Sequence, residues 1–454
     1  MQIHHDVIAP VILGITSILF FAVLGRFAAR RLGQPSVLGE LIMGILISTL
    51  GYYFSIGFIE VLREGTAVFD IIGYLLNGVS IQDAANKVKI NGEYATHLFE
   101  ILTGPHGEDY LKVAQTVDIF SRYGVIFMLF LVGLETSLGD LRRVGKESFV
   151  VSIIGVFAPF ILGLLFTALL LPGVSIEADL FIAATLVATS VGITVRVLQD
   201  LNKQQTASAR VILGAAIIDD VLGLIMLAVV SGIVVHGELE LLQMLQIVGM
   251  SALFFVIAFY VGPKFLNGVI WLVRHLDLVE AKMFISFLFV MMLAWVANLI
   301  GLATIIGAFT AGVILHDGYF RHWGETEKHQ ISIKDLIAPL ETILVPIFFV
   351  LMGIQVKLEM FLDVNVILIA LLLVAIAIIG KLLSGLGAGK GCNRLAIGIG
   401  MMPRGEVGLI FASLGKSLGV ISDSLFSSII IMVVVTTLIT PPLLKISIKR
   451  EKVE

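Results

Sequence analysis

Val211–Val235 reads VILGAAIIDDVLGLIMLAVVSGIVV. The run is apolar for a full bilayer crossing, which takes about 20 residues. Two adjacent carboxylates, Asp219 and Asp220, lie near its middle. A carboxylate at the bilayer centre costs roughly 2.5–3.5 kcal/mol on insertion scales, and acids kept there generally handle ions or protons. Two side by side also repel, which disfavours joint ionisation. Neighbours on a helix point ~100° apart, because there are 3.6 residues per turn. One acid can therefore face a cavity while the other faces a neighbouring helix. The plainer alternative is a pair of protonated acids that only hold helices together.

The rest of the chain suits such a span. Of 454 residues, 58% are hydrophobic and 14% charged, the composition of a polytopic membrane protein and not of a soluble enzyme. A formal net charge of −4 gives no sign of a nucleic-acid partner. The single cysteine, Cys392, rules out a disulfide framework and a cysteine-based metal site, and reads as a small packing residue near a membrane edge. The start, MQIHHDVIAP, lacks the basic residues of a signal peptide. Its His4 and His5 are adjacent, which does not set two ligands on one helix face, and they read as a solvated terminus.

Apolar runs predict about thirteen spans, near 8–30, 36–58, 119–138, 149–171, 179–198, 211–235, 241–263, 281–299, 301–316, 341–356, 364–388, 393–415 and 424–446. Basic residues fall in alternate connections: Arg26, Arg30 and Arg31; Arg142, Arg143 and Lys146; Lys203 and Arg210; Arg274 and Lys282; Arg321, Lys328 and Lys334; and Lys445, Lys449, Arg450 and Lys452. The short opposite connections, Pro172–Ala178 and His236–Leu239, hold neither Lys nor Arg. The positive-inside rule then puts the N-terminus outside and the C-terminus in the cytoplasm. One outer connection, 59–118, is long and polar, with helix-like pieces around Thr66–Leu76 and Gly92–Leu102 and a turn at Gly104–Gly107. It carries no ligand constellation.

Spans 1–6 and 8–13 form two six-helix units, with span 7 as connector, so the second unit is inverted relative to the first. Inverted repeats are a common transporter plan, with the site where broken helices meet at mid-membrane. The fifth span of each unit is interrupted. Span 5 reads LVATSVGITVRVL, with Thr189, Ser190, Gly192 and Thr194 at mid-depth; span 12 reads GIGMMPRGEVGLIF, with Pro403, Arg404, Gly405 and Glu406 there. Proline removes a backbone donor and glycine loosens a helix, and unwound backbone exposes carbonyls that can bind a cation. Kinked packing helices are the plainer reading. The expected fold is thus all-α and polytopic, with two inverted repeats and crossed broken helices.

Several polar residues carry the chemistry. A sodium ion is a hard cation that wants oxygen, which an aspartate of the pair, Thr189, Ser190 and the loosened backbone can supply. Spacing does not separate Asp219 from Asp220 as the charged ligand. Lys381 lies two-thirds along span 11; its long stem could carry the ammonium to the interface, or it could pair with an intramembrane aspartate. Arg404 and Glu406 read as structural at the helix crossing, since arginine does not release its proton. Glu40 and Glu135 sit nearer the interfaces and read as solvated or capping, and Asn298 and His316 as core or interface residues. The run GLGAGKG at Gly385–Gly391 lacks the spacing and the preceding strand of a nucleotide loop; small residues for close helix packing explain it.

Together these segments resemble the bacterial cation:proton antiporters of the second monovalent-cation family, which includes NapA-type sodium/proton antiporters and Kef-type potassium efflux systems. The matching stretches are LGQPSVLGELIMGIL at Leu32–Leu46, FLVGLE at Phe130–Glu135, ATSVGITVRVL at Ala188–Leu198, ILGAAIIDDVLGL at Ile212–Leu224, Lys381, and PRGEVGLI at Pro403–Ile410. The resemblance implies a homodimer. Its core would be 149–235 and 364–446, its dimerisation region residues 1–58, 119–138 and 281–356, and its linker helix 241–271, with 59–118 as an extracytoplasmic insertion. It also implies that Asp220 binds the ion while Asp219 pairs with Lys381. Kef-like members usually carry a neutral residue before the acid and a cytosolic nucleotide-binding domain; Asp219 and the short stretch after span 13 depart from that pattern.

The reading is a secondary transporter exchanging Na⁺ or Li⁺ for H⁺ by alternating access across an inner or plasma membrane, electrogenic, with no cofactor beyond the transported ions. Its partners are a monovalent cation, the proton, the lipid bilayer and a second copy. The alternative within the class is K⁺/H⁺ exchange of the Kef type. A remote alternative is an intramembrane aspartyl protease, whose two acids need to face each other from separate helices.

Overall fold

The computed structural model describes residues 8–34, 36–65, 68, 73–74, 77–79, 83, 100–135, 145–171, 173–190, 194, 197–198, 203, 206–236, 241–273, 277–300, 302–320, 331–356, 358–389 and 391–448. Among the described residues the fold is helical, without a β-strand. The helices are α1 (Ala9–Arg31), α2 (Ser36–Tyr53), α3 (Gly57–Arg63), α4 (Gly107–Glu135), α5 (Lys146–Leu170), α6 (Ile176–Thr185), α7 (Ala207–His236) and α8 (Leu241–Leu272). They continue with α9 (Leu278–Leu299), α10 (Thr304–Ile314), α11 (Ile333–Ile354), α12 (Val364–Ser384), α13 (Arg394–Gly400), α14 (Glu406–Ser417) and α15 (Asp423–Ile448).

Among the described residues ten helices are long and apolar enough to cross a membrane. The other three predicted spans are the short α10 and the two broken segments, α6 and α13–α14, so length and apolarity alone give ten and not thirteen. The third span starts earlier than hydropathy suggests, at Gly107 and not near 119. Its first turns carry Glu108, Asp109 and Lys112, which dilute the apolar signal without breaking the helix. The helix-like pieces of the long outer connection lie mostly outside the described residues.

The chain divides into two compact units. The first holds residues 1–125, 342–367 and 422–427. There α1 packs on α2, with Gly25 and Gly39 facing each other so closely that a Cβ on either would overlap the other's backbone. Gly44 and Gly353 do the same for α2 and α11, each Cα lying 2.8 Å from where the other's Cβ would stand. Small residues at the contact are how helices approach closely in lipid, where apolar side chains gain little from leaving it. Glu40 is buried here, 1% exposed, and accepts from Arg26 Nε at 2.8 Å. It is therefore an internal ion-pair partner and not a solvated cap.

The second unit holds residues 126–341, 368–421 and 428–454. In it α5, α6 and α7 pack on one another. Val151, Ile212, Ala215, Ala216, Ile397 and Met401 form a buried layer that fixes α5, α7 and α13 together. α5 and α12 run antiparallel in a tight register. A Cβ on Gly387 would meet Val151, and one on Gly380 would meet Pro159 at 2.7 Å. The small residues of Gly385–Gly391 serve this packing: a Cβ on Gly385 would overlap the Arg394 carbonyl. Lys282, expected in a loop, is the fifth residue of α9 and is buried; its Nζ donates to Ile331 O at 2.9 Å and pairs with Asp317 at 3.2 Å.

Candidate ion-translocation site

Two helices end head-on in the second unit. Ser175 caps the start of α6, its hydroxyl accepting from Ala178 N–H at 3.3 Å, and Glu177 and Asp179 stand in the first turn where the helix dipole favours acids. α6 stops at Thr185, and Ala188, Thr189 and Ser190 run without helical structure. On the other side Asn393 caps α13, accepting from Ala396 N–H at 3.1 Å. α13 stops at Gly400, ahead of Pro403, which disfavours helical backbone at the residue before it. α14 resumes at Glu406.

The two breaks are tied to each other. Ser190 N–H donates to Pro403 O at 2.8 Å. Thr194 donates to Gly400 O at 2.6 Å and Thr189 to Met401 O at 3.3 Å. A Cβ on Gly405 would lie 2.6 Å from Ser190 Cβ, so only glycine lets the two segments approach. The C-terminal ends of α6 and α13, each bearing partial negative charge, thus converge on one point. Arg404 supplies the fixed positive charge there. It is fully buried, and its Nη1 donates to Ala188 O at 2.6 Å, to Val187 O at 3.3 Å and to Thr189 Oγ1 at 3.4 Å. Thr437 on α15 donates to Arg404 O at 2.5 Å. Nε and Nη2 of Arg404 have no hydrogen-bond partner among the described residues.

On α7, Asp219 is 1% exposed, and Lys381 on α12 is 0% exposed. Lys381 Nζ donates to both oxygens of Asp219, at 2.9 and 3.0 Å. Taking each ion out of water costs several kcal/mol, and mutual attraction offsets that only with good geometry. The bidentate contact supplies the geometry, so the pair survives burial while its net worth stays small. Ser384 Oγ donates back to Lys381 O at 2.6 Å.

Of the residues singled out in the sequence, Asp219 and Lys381 meet, and Thr189, Ser190 and Arg404 meet at the crossing. Asp220 continues α7 beside Asp219, and Glu406 opens α14; their side chains, with that of Glu135, lie outside the described residues. Cys392 donates to Glu147 at 3.6 Å. Among the described residues no group of three or more His, Cys, Asp or Glu could hold a metal ion. Sequence reasoning missed Thr437, which looks like any hydroxyl in an apolar helix, and Gly155 on α5, where a Cβ would stand 3.5 Å from Lys381 Nζ and 3.6 Å from Asp219 Oδ1.

Ten apolar helices, two broken helices tied at their breaks and a buried acid–lysine pair define a polytopic secondary transporter of the crossed-helix class. The chain matches the sodium/hydrogen exchanger transmembrane family over residues 16–447 and belongs to that family. It is 32% identical to the high-affinity Na⁺/H⁺ antiporter NhaS3 of Synechocystis sp. strain PCC 6803, over 98% of this chain and 91% of that one. It is 32% identical to the Na⁺/H⁺-K⁺ antiporter GerN of Bacillus cereus, over 95% and 94% of the two chains. The solved structure of the sodium proton antiporter MjNhaP1 from Methanocaldococcus jannaschii shares the fold, with a TM-score of 0.62 at 16% identity and 98% of each chain covered. The protein is thus a multi-pass transporter and not an enzyme.

Proposed function

We propose that this protein exchanges Na⁺, or Li⁺, for H⁺ across the inner or plasma membrane by alternating access. The observation that carries the reading is the fully buried Asp219–Lys381 pair, held bidentately on α7 and α12. Asp220, the next residue on α7, takes cation and proton in turn. Thr189 and Ser190 add neutral oxygens; Thr189 directs its hydrogen at Met401 O and accepts from Arg404 Nη1, so one lone pair of its oxygen remains for a cation. Arg404 and Glu406 hold the crossing. The core is 149–235 with 364–446, the dimerisation region comprises 1–58, 119–138 and 281–356, and two copies associate with their N-termini outside and C-termini in the cytoplasm. The transported ions are the only ligands required.

The exchange is electrogenic. A bound Na⁺ displaces the proton of Asp220 and draws Asp219 from Lys381, which then releases a second proton. The loaded site has lost two protons for one ion, so one net charge crosses per cycle. A potential of 100 mV then contributes about 2.3 kcal/mol per charge moved. Exchange in proteoliposomes, with Na⁺, Li⁺ or K⁺ and with or without an imposed potential, tests this. ΔpH-coupled Na⁺ movement accelerated by potential is expected; exchange indifferent to potential would show one-for-one coupling, and no coupled movement would remove the reading. The K⁺ arm matters because one relative, GerN, bears K⁺ in its name.

A further inference from the structure

We propose that the face of α5 bearing Ser152, Gly155 and Pro159 is a second berth for the Lys381 nitrogen, occupied when Asp219 lets it go. The proposal rests on the exchange reading, in which the pair opens each cycle. A lysine at 0% exposure that gives up Asp219 needs acceptors for the hydrogens that the carboxylate held, and each buried hydrogen bond given up without a replacement is costly whether the group is charged or neutral. The berth has to lie within reach of the side chain and hold acceptors that nothing else has taken.

α5 meets both conditions. Gly155 stands against the pair: a Cβ there would lie 3.3 Å from Ser384 Cβ, 3.5 Å from Lys381 Nζ and 3.6 Å from Asp219 Oδ1. With hydrogen in place of a side chain, that space is left to the lysine. Pro159, four residues on, lies inside α5. Proline has no N–H, so the Gly155 carbonyl cannot receive the ordinary helical hydrogen bond. A carbonyl left that way in apolar surroundings is itself short of a donor. Ser152 is three residues before Gly155 and so on the same helix face. It is fully buried, and its hydroxyl has no partner among the described residues. One hydroxyl without a partner among the described residues, one carbonyl denied its ordinary helical donor and a clear approach therefore sit on one helix face, at the point where that face meets the ion pair. The antiparallel register set by Gly380 on Pro159 and Gly387 on Val151 holds this face against α12.

Three substitutions in reconstituted protein test the berth. Pro159→Ala keeps the Cβ that Gly380 packs on and restores the N–H that captures the Gly155 carbonyl; it favours the helix, so misfolding is not the expected outcome. Ser152→Ala removes the hydroxyl, and Gly155→Ala fills the approach. Pro159→Ala and Gly155→Ala are each expected to lower the maximal rate about tenfold, the scale of one hydrogen bond to a charged group. Ser152→Ala is expected to lower it less. Apparent Na⁺ affinity, set at Asp220, should stay within about twofold in all three, a split that a loosened fold would not give. Wild-type maximal rates in both Pro159→Ala and Ser152→Ala would overturn the berth, as would losses of rate and affinity in parallel. A wild-type protein without exchange would instead overturn the exchange reading itself.

Discussion

Two of the cations buried in the second unit, Arg404 and Lys381, are held in different ways. Arg404 donates to the carbonyls of Val187 and Ala188, while Lys381 donates to a carboxylate. A backbone carbonyl neither titrates nor turns away, and a guanidinium keeps its proton. A carboxylate can do both, and an ammonium can release a proton into a suitable partner. The arginine is a fixture that neutralises two converging helix ends. On the proposed exchange reading the lysine is the half of the site that changes state. The contrast predicts that substitutions at the lysine half disrupt coupling in addition to whatever they cost in stability, and that substitutions at the arginine half act through the fold.

The largest effect is expected at Asp220→Asn. Only an ionisable group can take cation and proton in turn, so exchange should vanish while the detergent-solubilised protein keeps its size and helical content. Robust ΔpH-coupled sodium transport in that variant would move the ion site elsewhere. Arg404→Gln comes next and inverts the pattern. It leaves two buried carbonyls without their charged donor, at about 1–3 kcal/mol each, so a drop in melting temperature and in folded yield is expected. An Arg404→Gln protein as stable as wild type but inactive would erase the contrast, because the arginine would then be acting in transport.

How far these roles were legible in the sequence differs between the two halves. The crossing could be read locally: Pro403 and Gly405 interrupt an apolar run, and Thr189 and Ser190 interrupt another at the corresponding place. Hydropathy located the long helices because the apolar length a bilayer demands is local information. The partner of Lys381 was not local. Asp219 lies 162 residues away, no spacing rule joins them, and only likeness to a family suggested the pairing. Gly155 was invisible for a related reason: a glycine in an apolar helix looks like packing until the charges across from it are placed. The start of α4 and the burial of Glu40 were hidden because charged residues in a helix read as solvated until their partners are known.

A smaller effect is expected at Thr189→Ala and Ser190→Ala. Each removes a neutral oxygen beside the break without touching a charge. Apparent Na⁺ affinity should weaken several-fold, on the scale of about 1 kcal/mol for a neutral hydrogen-bonding group, with the maximal rate changed less. Sodium titration of dequenching in vesicles would read it. Thr189 also accepts from Arg404 at 3.4 Å, so the two variants need not be equal. Loss of stability in Thr189→Ala with unchanged affinity would place that hydroxyl with the fixture and not with the ion.

The smallest effect sharpens the contrast from outside the second unit. Arg26 and Glu40 also form an ion pair, with Arg26 Nη2 2.7 Å from Glu40 Oε1. The carboxylate is as buried as Asp219, but the arginine is 26% exposed. That exposure decides the outcome. In Glu40→Gln the amide keeps an acceptor oxygen in place, and the guanidinium can satisfy its remaining donors from water. The expected cost is about 1 kcal/mol, in the range of exposed pairs, with exchange within about twofold of wild type. Lys381→Gln removes a partner from a carboxylate with no such outlet, and one-sided loss of a buried pair costs about 3–5 kcal/mol. Thermal melts of the two variants in the same detergent compare them directly. A much larger drop is expected in Lys381→Gln. Equal drops would mean that burial of the acid alone, and not the reach of its partner to water, sets what a charge pair is worth in this protein.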